Sequence, residues 1–429
     1  MKRTLIKDIK PNTTVTIRGW LENLRDKRAM QFLVVKDITG SVQITVEKEK
    51  LPELAEKVSA TTLSSVVTVT GTVVENSYVK LNGIEIIPTE YYVDSLADAL
   101  PINAQSNIDQ RHEYRWIDLR SDKNILIFKV ATEFEHALRE YMIKHNAIEI
   151  HTPKITAQSS EGGSDVFKID YYGTPAYLTQ SPQFYKQMAM ASGFEKAYEV
   201  ADYFRAEKSF TARHATNFVG FDFEMSYISS HLDIMREQEA MLRYALTQVK
   251  EKYGDQIKNV FNTEIELPEN PFPIITLKNA LKVLKEKYNY ELQDDLDTQG
   301  ETYLGDWAKE TYNSDFIFVT EYYFKNRAFY TMKCVEDPEV SKSYDLLWKG
   351  QEITSGAQRE HRPDILTNQI AEKGINPENM KGYIQFFEYG CPPHGGFGMG
   401  LARAIARMLN IPTIKDVCFV FRGPTKLHP

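Results

Sequence analysis

The stretch FRAEKSFTARHATNF, residues 204–218, concentrates cationic side chains and one aromatic ring, which together suit a polyphosphate bound to a base. Arg205, Arg213 and His214 supply positive charge, and Phe218 supplies a flat aromatic face. Guanidinium groups bind phosphate oxygens through paired hydrogen bonds, and an aromatic ring stacks on a base. The composition therefore favours a polyphosphate site. A solvated, charged hairpin without a ligand is the alternative.

Strand alternation predicts which of these side chains share a face. The flanking runs EVADY and VGFDFEM have the composition of strands, and residues two apart on a strand point to the same side. We expect Arg205 and Glu207 to share a face of the first strand. Phe218, Asp222 and Glu224 are expected to share a face of the second.

A second segment, residues 389–411, places several glycines before a helix that carries Arg403. No downstream acid completes a dinucleotide fingerprint, and GxxxxGK[ST] is absent. Glycines let the backbone pass close to a flat ligand, over which Arg403 could stack. A glycine-rich turn before a core helix is the alternative.

A third segment, residues 343–362, carries oxygen ligands that suit Mg2+. Asp345 and Glu352 lie at either end of a predicted turn, and Ser355 follows three residues later. Magnesium binds few protein carboxylates and takes its other ligands from substrate phosphates and water. Arg359 follows a Ser-Gly break and is expected to point into the same cavity. An ordinary surface hairpin is the alternative.

Two further segments carry candidate substrate contacts. Glu161 lies in the glycine-containing loop 157–167, and Ser181 precedes a proline at a predicted helix start, a good capping arrangement. Gln183 and Lys186 then share one face of the first helical turn. A solvated lysine is the ordinary interpretation of Lys186 by itself.

Length and composition limit the classes of protein to consider. A chain of 429 residues with 42% hydrophobic and 26% charged residues predicts two or three globular domains. The net charge of −8 argues against a uniformly basic protein but allows a local basic face. The three cysteines form no metal-binding spacing, and no run is long and apolar enough for a membrane span. We expect a cytoplasmic protein.

The chain divides into three regions by pattern. Residues 1–100 read as five short strands interrupted by one helix, which is typical of an OB-fold barrel, with another small β-barrel as the alternative. Residues 101–123 have the composition of a linker. Residues 124–429 lack regular βα alternation, which predicts an α+β domain on a mainly antiparallel sheet flanked by helices. Within it, residues 255–305 are charged and weakly patterned, which suggests an insertion.

Taken together and in order, these segments resemble the class II aminoacyl-tRNA synthetases over nearly the whole chain. The resemblance to their three motifs is carried by HTPKI, FRAE…RHATNF…FDFEM and GFGMGLARAI. Within that class the chain looks like the compact archaeal type of aspartyl-tRNA synthetases. That resemblance rests on EGGSDVF, QSPQFYKQ, EITSGAQREHR and GCPPHGG.

The resemblance implies ATP-dependent activation of L-aspartate to aspartyl-adenylate, then transfer to the 3′ end of tRNA-Asp. Whether tRNA-Asn is also charged stays open. Mg2+ is the implied cofactor, and the implied partners are tRNA, ATP, L-aspartate and a second copy of the chain. The homodimer contact would use the predicted helix and strand at 124–153. The barrel would bind the anticodon. No membrane partner is implied.

The resemblance also implies roles for individual residues. Arg205 and Arg403 would be catalytic. ATP would be bound by Arg205, Glu207, Arg213, His214, Phe218, Glu352, Gly400 and Arg403. Aspartate would be bound by Glu161, Gln183, Lys186, Arg205, Ser355 and Arg359. The metal would be held by Glu352, Ser355 and Asp345. The anticodon would be contacted by Phe32, Gln43 and Glu85.

Three positions depart from the family pattern. Asn217 replaces the usual Glu before Phe218, and Ala402 replaces the usual acid before Arg403. The C-terminal run FVFRGPTKLHP replaces the usual Phe-Pro-Arg-Asp. We expect an active enzyme with altered ATP handling. The other classes kept open are an asparaginyl-tRNA synthetase, an aspartate–ammonia ligase and a non-catalytic tRNA-binding relative.

Overall fold

The computed structural model describes residues 2–157, 165–208 and 211–428. The chain divides into two compact units, Met1–Asp118 and Leu119–Pro429. Within the described ranges, the helices are all too short or too polar to cross a bilayer.

The first unit is built around a closed five-stranded barrel. Its strands are β1 (Thr14–Asp26), β2 (Met30–Asp37), β3 (Gly40–Glu47), β4 (Val66–Glu75) and β5 (Ile84–Ser95). They pair in the order β1-β2-β3-β5-β4, with β3 and β5 parallel. Helix α1 (Pro52–Ser59) connects β3 to β4. Inward residues such as Leu33, Ile44 and Val69 are fully buried, so alternation along the strands forms the barrel core. The predicted OB-fold is confirmed.

The segment predicted as a linker contains short helices. They are α2 (Ile108–Glu113) and α3 (Arg115–Asp118). Helix α2 begins with a capping box, in which the Asn107 side chain accepts from the backbone N–H of Gln110 and the Gln110 side chain accepts from that of Asn107. The first compact unit ends after α3, at Asp118.

The second unit is organised by an eight-stranded, mainly antiparallel sheet. Its strands are β6 (Ile148–Glu149), β10 (Lys196–Phe204), β11 (Asn217–Ser226), β12 (Ile274–Thr276), β13 (Phe316–Thr320), β14 (Ser343–Trp348), β15 (Gln351–Gln358) and β16 (His394–Gly400). The order is β12-β13-β14-β15-β16-β11-β10-β6, and only the two edge pairs are parallel. A separate three-stranded sheet contains β7 (Ile155–Thr156), β8 (Lys168–Tyr171) and β9 (Thr174–Leu178). The predicted fold class is confirmed.

Helices cover this sheet. They are α4 (Asp122–Lys144), α5 (Gln183–Ala191), α6 (His231–Phe261), α7 (Leu277–Tyr288), α8 (Thr298–Tyr312), α9 (Pro363–Glu372), α10 (Lys381–Glu388) and α11 (Leu401–Met408). Short 3-10 helices of this unit lie at Phe324–Asn326, Pro377–Met380 and Ile414–Val417, and one of the first unit lies at Ile6–Asp8. Phe221, Phe223 and Phe397 join apolar residues of α4 and α6 in one core. The alternate residues of β11, including Gly220 and Asp222, line a cavity on the other face.

The charged segment around 255–305 is an integral part of the second unit. It includes the end of α6, then β12, α7 and the first turns of α8. β12 forms an edge of the main sheet, and Leu277, Leu284 and Leu304 form a core with β13. Its charged composition reflects the exposed faces of these helices.

The glycine-rich segment before α11 is a strand, β16, rather than a turn. A Cβ at Gly396 would lie 1.9 Å from the carbonyl oxygen of Phe223, and one at Gly395 would lie 2.6 Å from that of Ala357. These glycines therefore let β16 fit between β11 and β15. Gly398 and Gly400 line the cavity, as expected for glycines beside a ligand.

The Gly396→Ala substitution should destabilise the protein by about 1–3 kcal/mol or more, because the added methyl group overpacks the centre of the sheet. The free energy of unfolding in urea would measure the loss. Gly382→Ala is the matched control, because a Cβ there meets nothing within 4 Å on helix α10. The control should be neutral or stabilising. Equal stability of the two variants would contradict the packing argument.

Candidate active site

A cavity of about 340 Å³ opens on the face of the main sheet opposite α4 and α6. Its walls come from β10, β11, β15 and β16, the start of α5 and the start of α11. The size is that of a small-molecule site, and its lining mixes aromatic and glycine surface with charged side chains.

Most of the residues predicted for ATP and amino-acid binding meet in this one cavity. Its lining includes Gln183, Lys186, Arg205, Glu207, Arg213, His214, Phe218, Glu352, Ser355, Arg359, Gly400 and Arg403. Two residues predicted for this site are not among the described residues that line the cavity. Glu161 lies outside the described residues, and Asp345 does not line the cavity.

Arg205 lies directly beside the aromatic face of Phe218. Its guanidinium carbon is 5.4 Å from the centre of the Phe218 ring, and its Nη1 is 3.7 Å from Glu207 Oε1. Arg205 Nε is buried and has no hydrogen-bond partner within the described ranges. The expectation that Arg205 and Glu207 lie on a strand was wrong, because β10 ends at Phe204 and both residues follow it.

Four residues from different parts of the chain form a closed ring of contacts at one side of the cavity. Glu301 Oε2 accepts hydrogen bonds from Arg213 Nη1 at 2.7 Å and from the backbone N–H of Glu352 at 3.0 Å. Arg403 donates to Glu352 Oε1 at 3.1 Å and to the Arg213 carbonyl at 3.3 Å. Glu352 therefore orients Arg403, although position 402 carries alanine instead of an acid.

His214 completes this side of the cavity. Its Nε2 is 4.0 Å from Glu207 Oε2, and its Nδ1 forms a hydrogen bond with Thr211. Burial lowers the pKa of His214, and the positive charge of Arg403 lowers it further. The ring is therefore held neutral near pH 7, and the positive charge on this side comes from the arginines.

Buried charges of both signs alternate at the opposite end. Lys186 Nζ donates to Asp222 Oδ1 at 3.0 Å and lies 3.5 Å from Glu224 Oε2. Arg359 Nε donates to Glu224 Oε1 at 2.9 Å. Burial by itself would raise the pKa of Glu224, but Arg359 and Lys186 together lower it. The two cations therefore stabilise the charged form of the buried Glu224 carboxylate.

Gln183 is held in place by a buried hydrogen-bond network. Gln183 Nε2 and the Tyr383 hydroxyl both donate to Gln187 Oε1, at 2.8 and 2.7 Å. Gln187 Nε2 must then donate to His394 Nε2, 2.9 Å away, while His394 Nδ1 donates to the Pro392 carbonyl at 2.8 Å. Burial lowers the pKa of His394 to about 4, in agreement with this neutral tautomer.

Asp345 is bound by an arginine. Arg327 donates to Asp345 Oδ1 at 3.0 Å and Oδ2 at 2.7 Å, and to Ser355 Oγ at 3.0 Å. Its guanidinium carbon lies 3.7 Å from the centre of the Tyr322 ring. Both carboxylate oxygens thus bind Arg327 in this structure, and the role of Asp345 as a metal ligand stays a prediction.

Two local expectations, for Ser181 and for the residues before Arg359, also differ from the structure. The N-cap of α5 is Pro182, without a side-chain cap, so Ser181 does not cap this helix. β15 runs through Ser355 and Gly356 without a break and ends one residue before Arg359. Asn217 lies at the start of β11 outside the cavity lining, and its Oδ1 is buried without a partner in the described part of the chain.

In the barrel, the three predicted anticodon residues lie on adjacent strands. Gln43 pairs with Glu85 across β3 and β5, and Gln43 Nε2 donates to Glu85 Oε2 at 3.1 Å. Phe32 pairs with Thr45, which also donates to Glu85. The half-buried Phe32 ring lies 5.4 Å from the Arg25 guanidinium carbon. A stackable ring, a cation and polar groups thus share one barrel face.

Two family models match this chain. Residues 107–421 match the family described as tRNA synthetases class II (D, K and N). The chain belongs to this family. Residues 15–94 match the OB-fold nucleic acid binding domain, so the anticodon-type barrel precedes the class II synthetase domain.

Curated relatives of this synthetase are similar over nearly their full length. The aspartate–tRNA(Asp) ligase of Pyrococcus abyssi is 39% identical over 97% of this chain and 96% of its own. The aspartate–tRNA(Asp/Asn) ligase of Methanopyrus kandleri is 39% identical over the same shares.

Solved structures give the same fold. The asparaginyl-tRNA synthetase of Pyrococcus horikoshii, complexed with asparaginyl-adenylate, has a TM-score of 0.92 and 30% identity over the full length of both chains. The aspartyl-tRNA synthetase of Entamoeba histolytica has a TM-score of 0.88 and 31% identity, covering 100% of this chain and 93% of its own.

Sequence reasoning missed two residues of the synthetase site. Arg327 follows a 3-10 helix in a segment without a motif, and Glu301 lies in the charged segment interpreted as an insertion. Neither carries a local signal, because each is brought to the site by packing between elements distant in sequence. Asp222 and Glu224 were placed on the correct strand face, but their pairing with Lys186 and Arg359 was not predicted.

The Glu224→Gln substitution should destabilise the synthetase by about 3–5 kcal/mol, because it leaves two buried cations short of one negative charge. Urea unfolding at neutral pH measures this loss. Glu286→Gln is a suitable control. Glu286 is exposed, and its Oε1 lies 3.8 Å from Lys282 Nζ. The control should change stability by less than about 1 kcal/mol. A stable Glu224→Gln variant would show that the cations do not need this carboxylate.

Proposed function

We propose that this synthetase activates L-aspartate with ATP to form aspartyl-adenylate, and then transfers the aspartyl group to the 3′ end of tRNA-Asp. The observation that carries the proposal is a single cavity with an aromatic–arginine end for a nucleotide and two buried cations at the other end. The similarity to two curated aspartate–tRNA ligases supports the choice of amino acid.

The chemistry needs no protein nucleophile. The α-carboxylate of aspartate attacks the α-phosphorus of ATP, and pyrophosphate leaves with the electrons of the broken P–O bond. A ribose hydroxyl of the tRNA then attacks the activated carbonyl, and AMP leaves. Catalysis comes from aligning the reactants and offsetting negative charge on the phosphate.

The nucleotide end suits ATP in a bent form. In our proposal Arg205 contacts the α-phosphate and the amino-acid carboxylate, while the adenine lies between Phe218 and Arg403. Arg213 and His214 contact the β- and γ-phosphates, and Glu207 contacts the adenine edge. The supporting geometry is that all six residues line the cavity together with the small Gly400.

The other end suits a second carboxylate. Arg359 uses three of its five N–H groups on Glu224 and the Gly396 carbonyl, and Lys186 donates to Asp222 and the Phe397 carbonyl. The remaining donors can bind the aspartate side chain. Asparagine would turn its NH2 group toward these donors and lose the charge-assisted hydrogen bonds. Each ~1.4 kcal/mol of lost interaction energy weakens binding about tenfold. Gln183 and Ser355 complete the proposed aspartate contacts, and Glu161 stays a prediction.

Mg2+ fits part of the predicted ligand set. Glu352 and Ser355 line the cavity, whereas Asp345 binds Arg327. Among the residues that the structure describes, none cluster as three or more His, Cys, Asp or Glu ligands. A magnesium ion that takes most of its ligands from phosphates and water needs few protein groups. Glu352 and Ser355 would hold it, and it would offset charge on the phosphates.

The barrel is the proposed anticodon site. Phe32 would stack on a base, with Gln43 and Glu85 offering hydrogen bonds to base edges. The names of the two curated relatives differ in their tRNAs, one being named for tRNA(Asp) and the other for tRNA(Asp/Asn). Charging tRNA-Asp and tRNA-Asn separately would decide which pattern this synthetase follows.

A homodimer is the proposed assembly, with the cytoplasm as its location. One face of α4 is buried against α6, while Ile143 near its end and Ile148 on β6 are 65% and 45% exposed. These apolar side chains, close in sequence to the HTPKI segment at 151–155, suit an isologous contact.

An asparaginyl-tRNA synthetase is the second candidate, because the solved asparaginyl enzyme of P. horikoshii superimposes at a TM-score of 0.92. ATP–pyrophosphate exchange with aspartate and with asparagine separates the two functions. Exchange with asparagine alone would overturn the proposal.

Lys186→Ala and Arg359→Ala should each reduce aspartate-dependent ATP–pyrophosphate exchange by at least about a hundredfold, because a buried charge-assisted contact to the substrate is lost. Lys278→Ala, at an exposed position on α7, is the control and should retain full exchange. Thermal unfolding of all three variants checks that they fold. Exchange like that of the wild type in either site variant would refute the assignment.

Phe32→Ala should raise the KM for tRNA in aminoacylation about tenfold, since stacking of one base is worth roughly 1–3 kcal/mol. ATP–pyrophosphate exchange proceeds without the anticodon and serves as the internal control. An unchanged KM for tRNA would remove Phe32 from the proposed anticodon site.

A further inference from the structure

Glu301 lies outside the cavity, yet its carboxylate binds two residues that line it. It is 5% exposed and sits in the first turn of α8. Its Oε2 accepts from Arg213 Nη1 at 2.7 Å and from the Glu352 backbone N–H at 3.0 Å. The neighbouring Thr298 hydroxyl accepts from Arg213 Nη2 at 2.7 Å. Helix α8 thus holds one guanidinium group at two points.

Close backbone packing explains how α8 reaches these residues. A Cβ at Gly305 would lie 2.4 Å from the backbone of Gly350, and a Cβ at Gly350 would lie 2.9 Å from the Cα of Thr302. Gly350 also has a φ of +69°, which favours glycine. Two glycines therefore allow α8 to lie directly on the β14–β15 turn, just before Glu352.

Arg213 and Glu352 are each held at both the side chain and the backbone. Glu301 holds the side chain of Arg213 and the backbone of Glu352, while Arg403 contacts the backbone of Arg213 and the side chain of Glu352. Arg213 keeps N–H groups beyond the two used by Glu301 and Thr298, because a guanidinium group has five. Those groups are available to phosphate oxygens.

We infer that Glu301 is a positioning residue for the triphosphate: it holds Arg213 and Glu352 at the cavity wall before ATP binds. The inference rests on the proposed function. Holding a long side chain in its binding geometry removes part of the entropy cost of binding. Glu301 therefore acts on ATP binding through Arg213, and has no contact with aspartate.

The test compares Glu301→Gln with Glu310→Gln. Glutamine can still accept from the Glu352 N–H but loses the charge that holds Arg213. Glu310 lies on the same helix and is 60% exposed. For Glu301→Gln we expect the KM for ATP in the exchange reaction to rise about tenfold, by analogy with the roughly 10–100-fold loss when a partner that orients a metal ligand is removed. The KM for aspartate should match that of Glu310→Gln, and thermal unfolding checks that both variants are folded at the assay temperature.

A double variant separates positioning from general structural support. If Glu301 acts through Arg213, Glu301→Gln should have no further effect on ATP affinity in an Arg213→Ala background. Isothermal titration with ATP gives this comparison even where turnover is low. Thr298→Val removes the other partner of Arg213 and should weaken ATP binding in the same direction, which keeps the test valid if Glu301→Gln folds poorly.

Two outcomes would overturn the inference: a KM for ATP in Glu301→Gln equal to that of Glu310→Gln, or an undiminished effect of Glu301→Gln in the Arg213→Ala background. Failure of the proposed function looks different, because the wild-type protein would then show no aspartate-dependent exchange. The ATP titrations would still test Glu301 in that case.

Discussion

The pairing of Lys186 and Arg359 with Asp222 and Glu224 is the interaction on which the cavity depends. An isolated buried cation is expensive, and it loses its charge or its place unless a carboxylate compensates it. β11 supplies both carboxylates from alternate positions, while the cations come from α5 and from the residue after β15. A site for a charged amino acid can therefore exist in the folded interior, because carboxylates around it compensate the buried cations.

The same strand explains why the cavity lies where it does. One face of β11 carries Phe221 and Phe223 into the core with α4 and α6, and the other carries Gly220 and Asp222 to the cavity. Glycines at 395 and 396 let β16 approach β11 closely, and those at 398 and 400 leave space for a ligand. Core packing and the cavity thus share one sheet.

At the nucleotide end of the cavity, the cations are carried by loops and a helix start, and contacts with other elements hold them in place. At such positions side chains are less constrained than on a central strand. Arg213 is fixed by α8, Arg403 by Glu352, and Arg327 by Asp345 and the ring of Tyr322. Arg213, Arg327 and Arg403, which all line the cavity, are therefore each held by a carboxylate. Such support keeps the charges in place before the substrate arrives.

The sequence by itself determined the fold class, the order of the barrel and the synthetase domain, and most of the cavity residues. Those features depend on local patterns: strand alternation, glycines before a helix, and short motifs with charged side chains. Only the tertiary structure decided that Asp345 binds Arg327, that Glu352 orients Arg403, and that Glu301 belongs to the site. Each of these contacts joins elements far apart in the chain, and the choice of partner for a charged side chain depends on packing that no local pattern encodes.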